Sequence, residues 1–170
     1  MTADASSPAP HTPPEKRLAV FLDGTWNTVN HNTNVWRLRA LCAKHSADGS
    51  VQRAYYDPDV GTLLGQKVRG GWWGIGINEN IVDAYQWLIE NYDPGDEIFI
   101  FGFSRGAYTA RSLSGLISKC LLRPGAPLSL DQLYGRYRRA SEPRTIRTLL
   151  KEQASNPRFT CTLEEAWLTK

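Results

Sequence analysis

Three cysteines, three histidines and one methionine are all that 170 residues hold of those types, and each shortage excludes something. Cys42, Cys120 and Cys161 are odd in number, far apart and outside any CxxC or Cys/His arrangement. That excludes a disulfide framework and a structural zinc site, and leaves free buried thiols as the expectation. No metal and no cofactor is expected. No apolar run nears the roughly 18 residues of a membrane span, and residues 1–17 (MTADASSPAPHTPPEKR) have no apolar centre for a secretory signal. A cytoplasmic chain with no transmembrane segment is therefore expected. Strong charge of one sign is lacking too. The net charge of +3 combines 11 Lys+Arg against 12 Asp+Glu up to Cys120 with 9 against 5 from Leu121 onward. The basic end carries no finger, RNP or basic-zipper pattern, so nucleic acid is not an expected partner. Arg136, Arg138, Arg139, Arg144 and Arg147 are expected on solvated helix faces.

What is present suits one globular body, with 41% apolar and 22% charged residues. Residues 1–16, rich in Pro, Ala, Ser and Thr, are expected to form a disordered tail before a body over 17–156, with a divergent tail at 157–170. Leu18-Ala19-Val20-Phe21-Leu22 is an unbroken apolar run closed by Asp23-Gly24-Thr25, which predicts a strand buried on both faces and a turn after it. Asn34 then caps a segment with Val35, Leu38, Leu41 and Cys42 at helical spacing. The pattern repeats as a strand over Val51–Tyr56, a long glycine-rich loop to Gly76, and a helix presenting Ile81, Val82, Tyr85, Leu88, Ile89 and Tyr92. After the turn at Asp93-Pro94-Gly95-Asp96 comes a third apolar strand, Ile98–Phe101, and helix-forming sequence from Arg105 to Leu121. Two shorter helices are expected around Leu130–Tyr137 and Ile146–Leu150. Three strand-helix units in succession imply parallel strands joined by right-handed crossovers. The expected class is α/β: an open parallel sheet in a three-layer α/β/α arrangement.

Gly102-Phe103-Ser104-Arg105-Gly106 matches GxSxG and lies between an apolar strand and a helix, the context in which that motif forms a nucleophile elbow. The sharp turn lifts the serine hydroxyl above the sheet edge. Gly102 and Gly106 are needed because strand and helix approach too closely for side chains there. Ser104 is thus the candidate nucleophile against a carbonyl carbon, with the backbone N–H of Arg105 as one oxyanion donor. A second donor is expected from the Asp23–Asn27 loop, as the N–H of Gly24 or Thr25, with Asp23 orienting that loop. Trp72 and Trp73, on the glycine-rich loop, are candidates for a lid or an apolar contact with a greasy substrate.

Two other readings fail on spacing. Phe21-Leu22-Asp23-Gly24-Thr25 is similar to the Asp-x-Asp-Gly-Thr signature of haloacid dehalogenase-type phosphatases, but position 21 is Phe where the nucleophilic aspartate must stand. Gly70–Gly76 has no GxGxxG order and no GK[ST], so it is not a nucleotide loop. A serine hydrolase of this kind presents serine, acid and histidine in that chain order, yet His11, His31 and His45 all precede Ser104. His11 lies in the expected tail and His45 at a helix end. His31, in the loop after the first strand, is the one that could reach Ser104 as an unorthodox base.

The succession Phe21-Leu22-Asp23-Gly24-Thr25-Trp26-Asn27, Thr33-Asn34-Val35, Tyr55-Tyr56-Asp57-Pro58, Val60-Gly61-Thr62, Asn78-Glu79-Asn80-Ile81 and Gly95–Phe99 through Ala110-Arg111-Ser112-Leu113 resembles a family. It is the α/β-hydrolase domain of unknown function that includes the Tle-like catalytic domains of type VI secretion phospholipase effectors. The resemblance covers about Arg17 to Arg139. It implies a partial α/β-hydrolase fold and a serine esterase or lipase with Ser104 as nucleophile. For effector members it further implies a phospholipid or other ester substrate, an immunity protein as partner, and export without a signal peptide. Asp59 stands where the family has glycine. Phe159–Lys170 matches neither the Trp-Asp-Thr-Val type motif that brings the family's acid nor its later histidine. A truncated or frameshifted chain that diverges near Asn156 is therefore expected. A non-catalytic remnant that binds lipid or a protein partner through the Gly/Trp loop is the alternative.

Overall fold

The computed structural model describes residues 16–24, 32–58, 75–122, 129–140 and 144–156, with backbone alone at 75–77. Residues 1–15 of the expected tail, the expected tail at 157–170, the Trp72-Trp73 loop, Thr25, Asp59, Cys161, His11 and His31 lie outside these residues, whereas Lys16, expected in the tail, begins the first strand. Three strands, β1 (Lys16–Leu22), β2 (Val51–Asp57) and β3 (Glu97–Gly102), pair in parallel in the order β2-β1-β3. β1 is central, with Leu22 opposite Asp57 on one side and Gly102 on the other. That position explains its unbroken apolar run, since Leu18 through Leu22 are all buried.

Five helices follow in order: α1 (Asn34–Leu41), α2 (Ile75–Asn91), α3 (Arg105–Cys120), α4 (Leu130–Arg138) and α5 (Ile146–Ser155). The connection from β1 to β2 moves one way across the sheet, and that from β2 to β3 returns past β1. With right-handed crossovers, opposite directions place the connecting helices on opposite faces. Leu18, Val20 and Leu22 accordingly face α2 and α3 in a core that includes Ile81, Tyr85, Leu88, Leu113 and Leu116. Ala19 and Phe21 face α1 through Val35. The chain is an α/β protein with helices on both sides of a parallel sheet.

Helix limits follow local chemistry. Thr33, rather than Asn34, caps α1, its hydroxyl accepting from the Trp36 N–H at 3.1 Å. Ser129 and Gln132 form a reciprocal capping box at the start of α4. At its far end the Lys119 ammonium donates to the carbonyls of Arg136, Tyr137 and Arg139 at 3.0–3.3 Å, occupying acceptors that a helix terminus leaves open.

Three expectations change. In α1 only Val35 of the helically spaced apolar residues is buried; Leu38 is 46% and Leu41 80% exposed. Arg136 is buried rather than solvated, its guanidinium donating to the Arg144 carbonyl at 3.1 Å and so tying α4 to the start of α5. Cys120 is buried, its thiol donating to the Leu133 carbonyl at 3.6 Å, whereas Cys42 is only half-buried. The N-terminal sheet edge is an ionic rim. Arg17 reaches both Asp48 and Glu97, at 2.7 and 3.0 Å, and holds the Asp48 carboxyl well below the usual carboxylate range.

Candidate active site

The C-terminal edge of the sheet has a different character. β1 and β3 are neighbours, yet the chain leaves β1 toward α1 on one face and leaves β3 toward α3 on the other. Where adjacent parallel strands send their connections to opposite faces, a crevice opens beyond their carboxyl ends. Asp23 and Gly24 stand on one side of that crevice and Phe103 and Ser104 on the other. The Phe103 N–H donates to the Leu22 carbonyl at 3.1 Å, which joins the two sides.

Ser104 has φ 55° and ψ −122° and directly precedes α3. A positive φ in a residue with a Cβ costs on the order of 1–3 kcal/mol and persists only where the surroundings impose it. They do so here. A Cβ on Gly106 would lie 2.5 Å from the Leu22 carbonyl carbon and 2.7 Å from the Asp23 oxygen. A Cβ on Gly102 would lie 2.7 Å from the Ala107 Cα. The first turn of α3 therefore sits on the backbone of β1 and β3, and the intervening turn has no slack. In this conformation the Ser104 side chain makes no capping bond to α3, unlike an ordinary N-cap serine, and the residue is exposed. The N–H of Arg105, first residue of α3, has no acceptor within the helix.

Across the crevice, Asp23 is 1% exposed. Its Oδ1 accepts the Gly24 N–H at 2.8 Å, and its Oδ2 accepts the hydroxyls of Thr33 and, at 3.2 Å, Tyr56. The Asp23 N–H in turn donates to the Asp57 carbonyl at 2.9 Å, and the Asp57 carboxylate accepts the Asn80 amide. Burial first, and the nearby Asp23 charge second, push the Tyr56 phenol up to about 12, so it remains a protonated donor through the neutral range. Of the two amides expected as second oxyanion donor, that of Gly24 is engaged by Asp23; Thr25 lies outside the described residues.

The structure thus brings Ser104, Arg105, Gly102 and Gly106 next to Asp23 and Gly24. It places His45 elsewhere, in an antiparallel bridge with Val51 at the opposite, N-terminal edge of the sheet. Among the described residues no group of three or more His, Cys, Asp or Glu side chains could hold a metal ion. Nor is any helix there long and apolar enough to cross a membrane. Tyr56 and Thr33 were not legible as site residues. Both stand in segments that carry the family resemblance, and strand alternation puts Phe21 and Asp23 on one face, but that becomes useful only once Tyr56 is known to pair opposite Phe21.

The chain is similar to an uncharacterized protein of Saccharomyces cerevisiae, YEL023C, with 28% identity over 161 residues. The match covers 82% of this chain and 23% of the relative, so the chain spans about a quarter of that protein's length. No solved structure matches it at a significant level. The family model described as the catalytic domain of Tle1-like type VI secretion phospholipase effectors matches residues 16–166. With nearly the whole chain inside that match, the protein belongs to the Tle1-like phospholipase effector catalytic domain family.

Proposed function

We propose that the chain is a serine-esterase-type hydrolase domain that acts on the carboxylic esters of lipids, with phospholipid as the substrate class. Membership of a phospholipase-like family carries the general class. The observation that supports the residue assignment is Ser104, held at positive φ between β3 and α3, in the crevice where β1 and β3 diverge. Ser104 Oγ adds to the ester carbonyl carbon. The Arg105 N–H, at the positive end of α3, donates to the oxygen as it becomes anionic. Because Asp23 already engages the Gly24 N–H, the second donor in this reading is Thr25. The proton of Ser104 needs an acceptor at neutral pH. His45 is at the wrong edge of the sheet for that role, which leaves His31 as this chain's candidate.

A fluorophosphonate probe tests the reading. Covalent labelling that disappears in Ser104→Ala is the expected outcome, and labelling retained in His31→Gln would remove that histidine from the mechanism. A folded wild-type protein that never labels would overturn the reading in favour of a non-catalytic remnant that binds lipid or a protein partner through the Gly/Trp loop.

A further inference from the structure

The Asp23 carboxylate does more than face the crevice. Through Oδ1 it holds the amide of Gly24, and through Oδ2 the hydroxyl of Thr33. These residues bracket the segment between β1 and α1, so one buried carboxylate staples both ends of that loop. Thr33 is committed twice, since its hydroxyl oxygen also caps α1 through Trp36. A partner from outside the loop adds to this hold on the carboxylate. Tyr56 is such a partner. It comes from β2, opposite Phe21, and packs against the Ala19-Phe21-Val35 cluster with the Arg39 guanidinium 5.7 Å from its ring centroid. Its hydroxyl reaches Asp23 from the neighbouring strand.

We propose that Tyr56 is a positioning residue for the Ser104 site: its hydroxyl fixes the Asp23 carboxylate, which fixes the Gly24 end of the loop that supplies the second oxyanion donor. The inference rests on the serine-hydrolase reading above for its chemical consequence, but the positional part stands on geometry alone. Tyr56 touches neither substrate nor Ser104 in this scheme. Removing an oxyanion donor outright costs about 100- to 1,000-fold in rate, and loosening its support costs less, about 10-fold.

The test combines Tyr56→Phe, Asp23→Asn and the double variant with two readouts on the full chain. In the first, saturation kinetics of fluorophosphonate labelling separate the maximal rate from the half-saturating concentration. Tyr56→Phe, which keeps the ring and its packing, lowers the maximal rate about 10-fold and leaves the half-saturating concentration unchanged. The double variant is no slower than Asp23→Asn alone, because Tyr56 acts through Asp23. A Tyr56→Phe protein that labels at the wild-type rate, or losses that multiply in the double variant, would overturn the proposal. The second readout is hydrogen exchange at the Gly24 amide by NMR, expected to be about 10-fold faster in Tyr56→Phe. Failure of the wild type to label defeats the Ser104 reading by itself, and the exchange rates then decide the staple: unchanged exchange at Gly24 overturns it.

Discussion

The two faces of the β2-β1-β3 sheet do different work. The face that carries Leu18, Val20 and Leu22 lies under α2 and α3, with α4 and α5 behind them, and its core residues are almost completely excluded from solvent. Among the described residues, the face that carries Ala19, Phe21 and Asp23 is covered by the eight residues of α1. Phe21 and Phe101 stack there with ring centroids 5.0 Å apart, yet Phe99 beside them is 43% exposed. The deep face contributes the apolar burial that stabilises the chain. The shallow face spends its interior on a polar cluster of Asp23, Thr33 and Tyr56 at the sheet's carboxyl edge. Stability and chemistry are thus separated by the thickness of one strand, and successive residues of β1 serve one and then the other.

Substitutions can break or sharpen this contrast. The largest effect is expected on the deep face, where Leu113→Ala removes a fully buried side chain from between α3 and the sheet and costs about 2–5 kcal/mol. The matching change on the shallow face, Val35→Ala, removes two methyl groups and costs about 1.5 kcal/mol. Urea unfolding of both measures the difference, and a reversed order would break the comparison. An intermediate effect concerns the adjacent tyrosines of β2, which point to opposite faces. Tyr55 packs by Trp87 on the deep side and Tyr56 joins Asp23 on the shallow side. Burial is the leading cause that pushes both phenols up to about 12. A phenol raised in the folded state contributes stability that is whole below its unfolded value of about 10 and is lost as pH rises through 12. The chain should therefore lose stability between pH 10 and 12, followed by tyrosinate absorbance and denaturant midpoint together. Tyr55→Phe and Tyr56→Phe should each flatten that dependence. The smallest effect is expected at Phe99→Thr, which keeps a β-favouring residue at an exposed site and shifts the unfolding free energy by no more than about 0.5 kcal/mol.

The division between the faces was only partly visible in the amino-acid sequence. β1 announced itself because a strand buried on both sides must be apolar at every position, and Ser104 because its glycines sit at an apolar strand's end before a run of small residues. The thin cover was not visible. Val35, Leu38 and Leu41 have the spacing of a buried helical stripe, and spacing says which residues share a face without saying what lies against it. The role of Tyr56 escaped for a different reason, since Asp23 and Tyr56 meet only through strand register. Arg136 escaped because its neighbours Arg138 and Arg139 are exposed as arginines usually are. Its burial and the bond from its guanidinium to the Arg144 carbonyl depend on tertiary placement, which helical spacing does not report.

The central place of β1 also sets a problem of timing. Of the three described strands it is the first to be synthesised, but Leu22 must wait for Asp57 on one side and for Gly102 on the other. Until both arrive, an uninterrupted Leu-Ala-Val-Phe-Leu ribbon stands with two open edges, as β-prone and uncharged as any segment of the chain. Parallel partners so distant in sequence close slowly, because the intervening loops lose their entropy before the pairing rewards it. Lys16 and Arg17 immediately before the ribbon and Asp23 immediately after it place charge at both ends, as gatekeepers do. The carboxylate that staples the loop in the folded protein is, in the nascent one, a guard against the wrong neighbour.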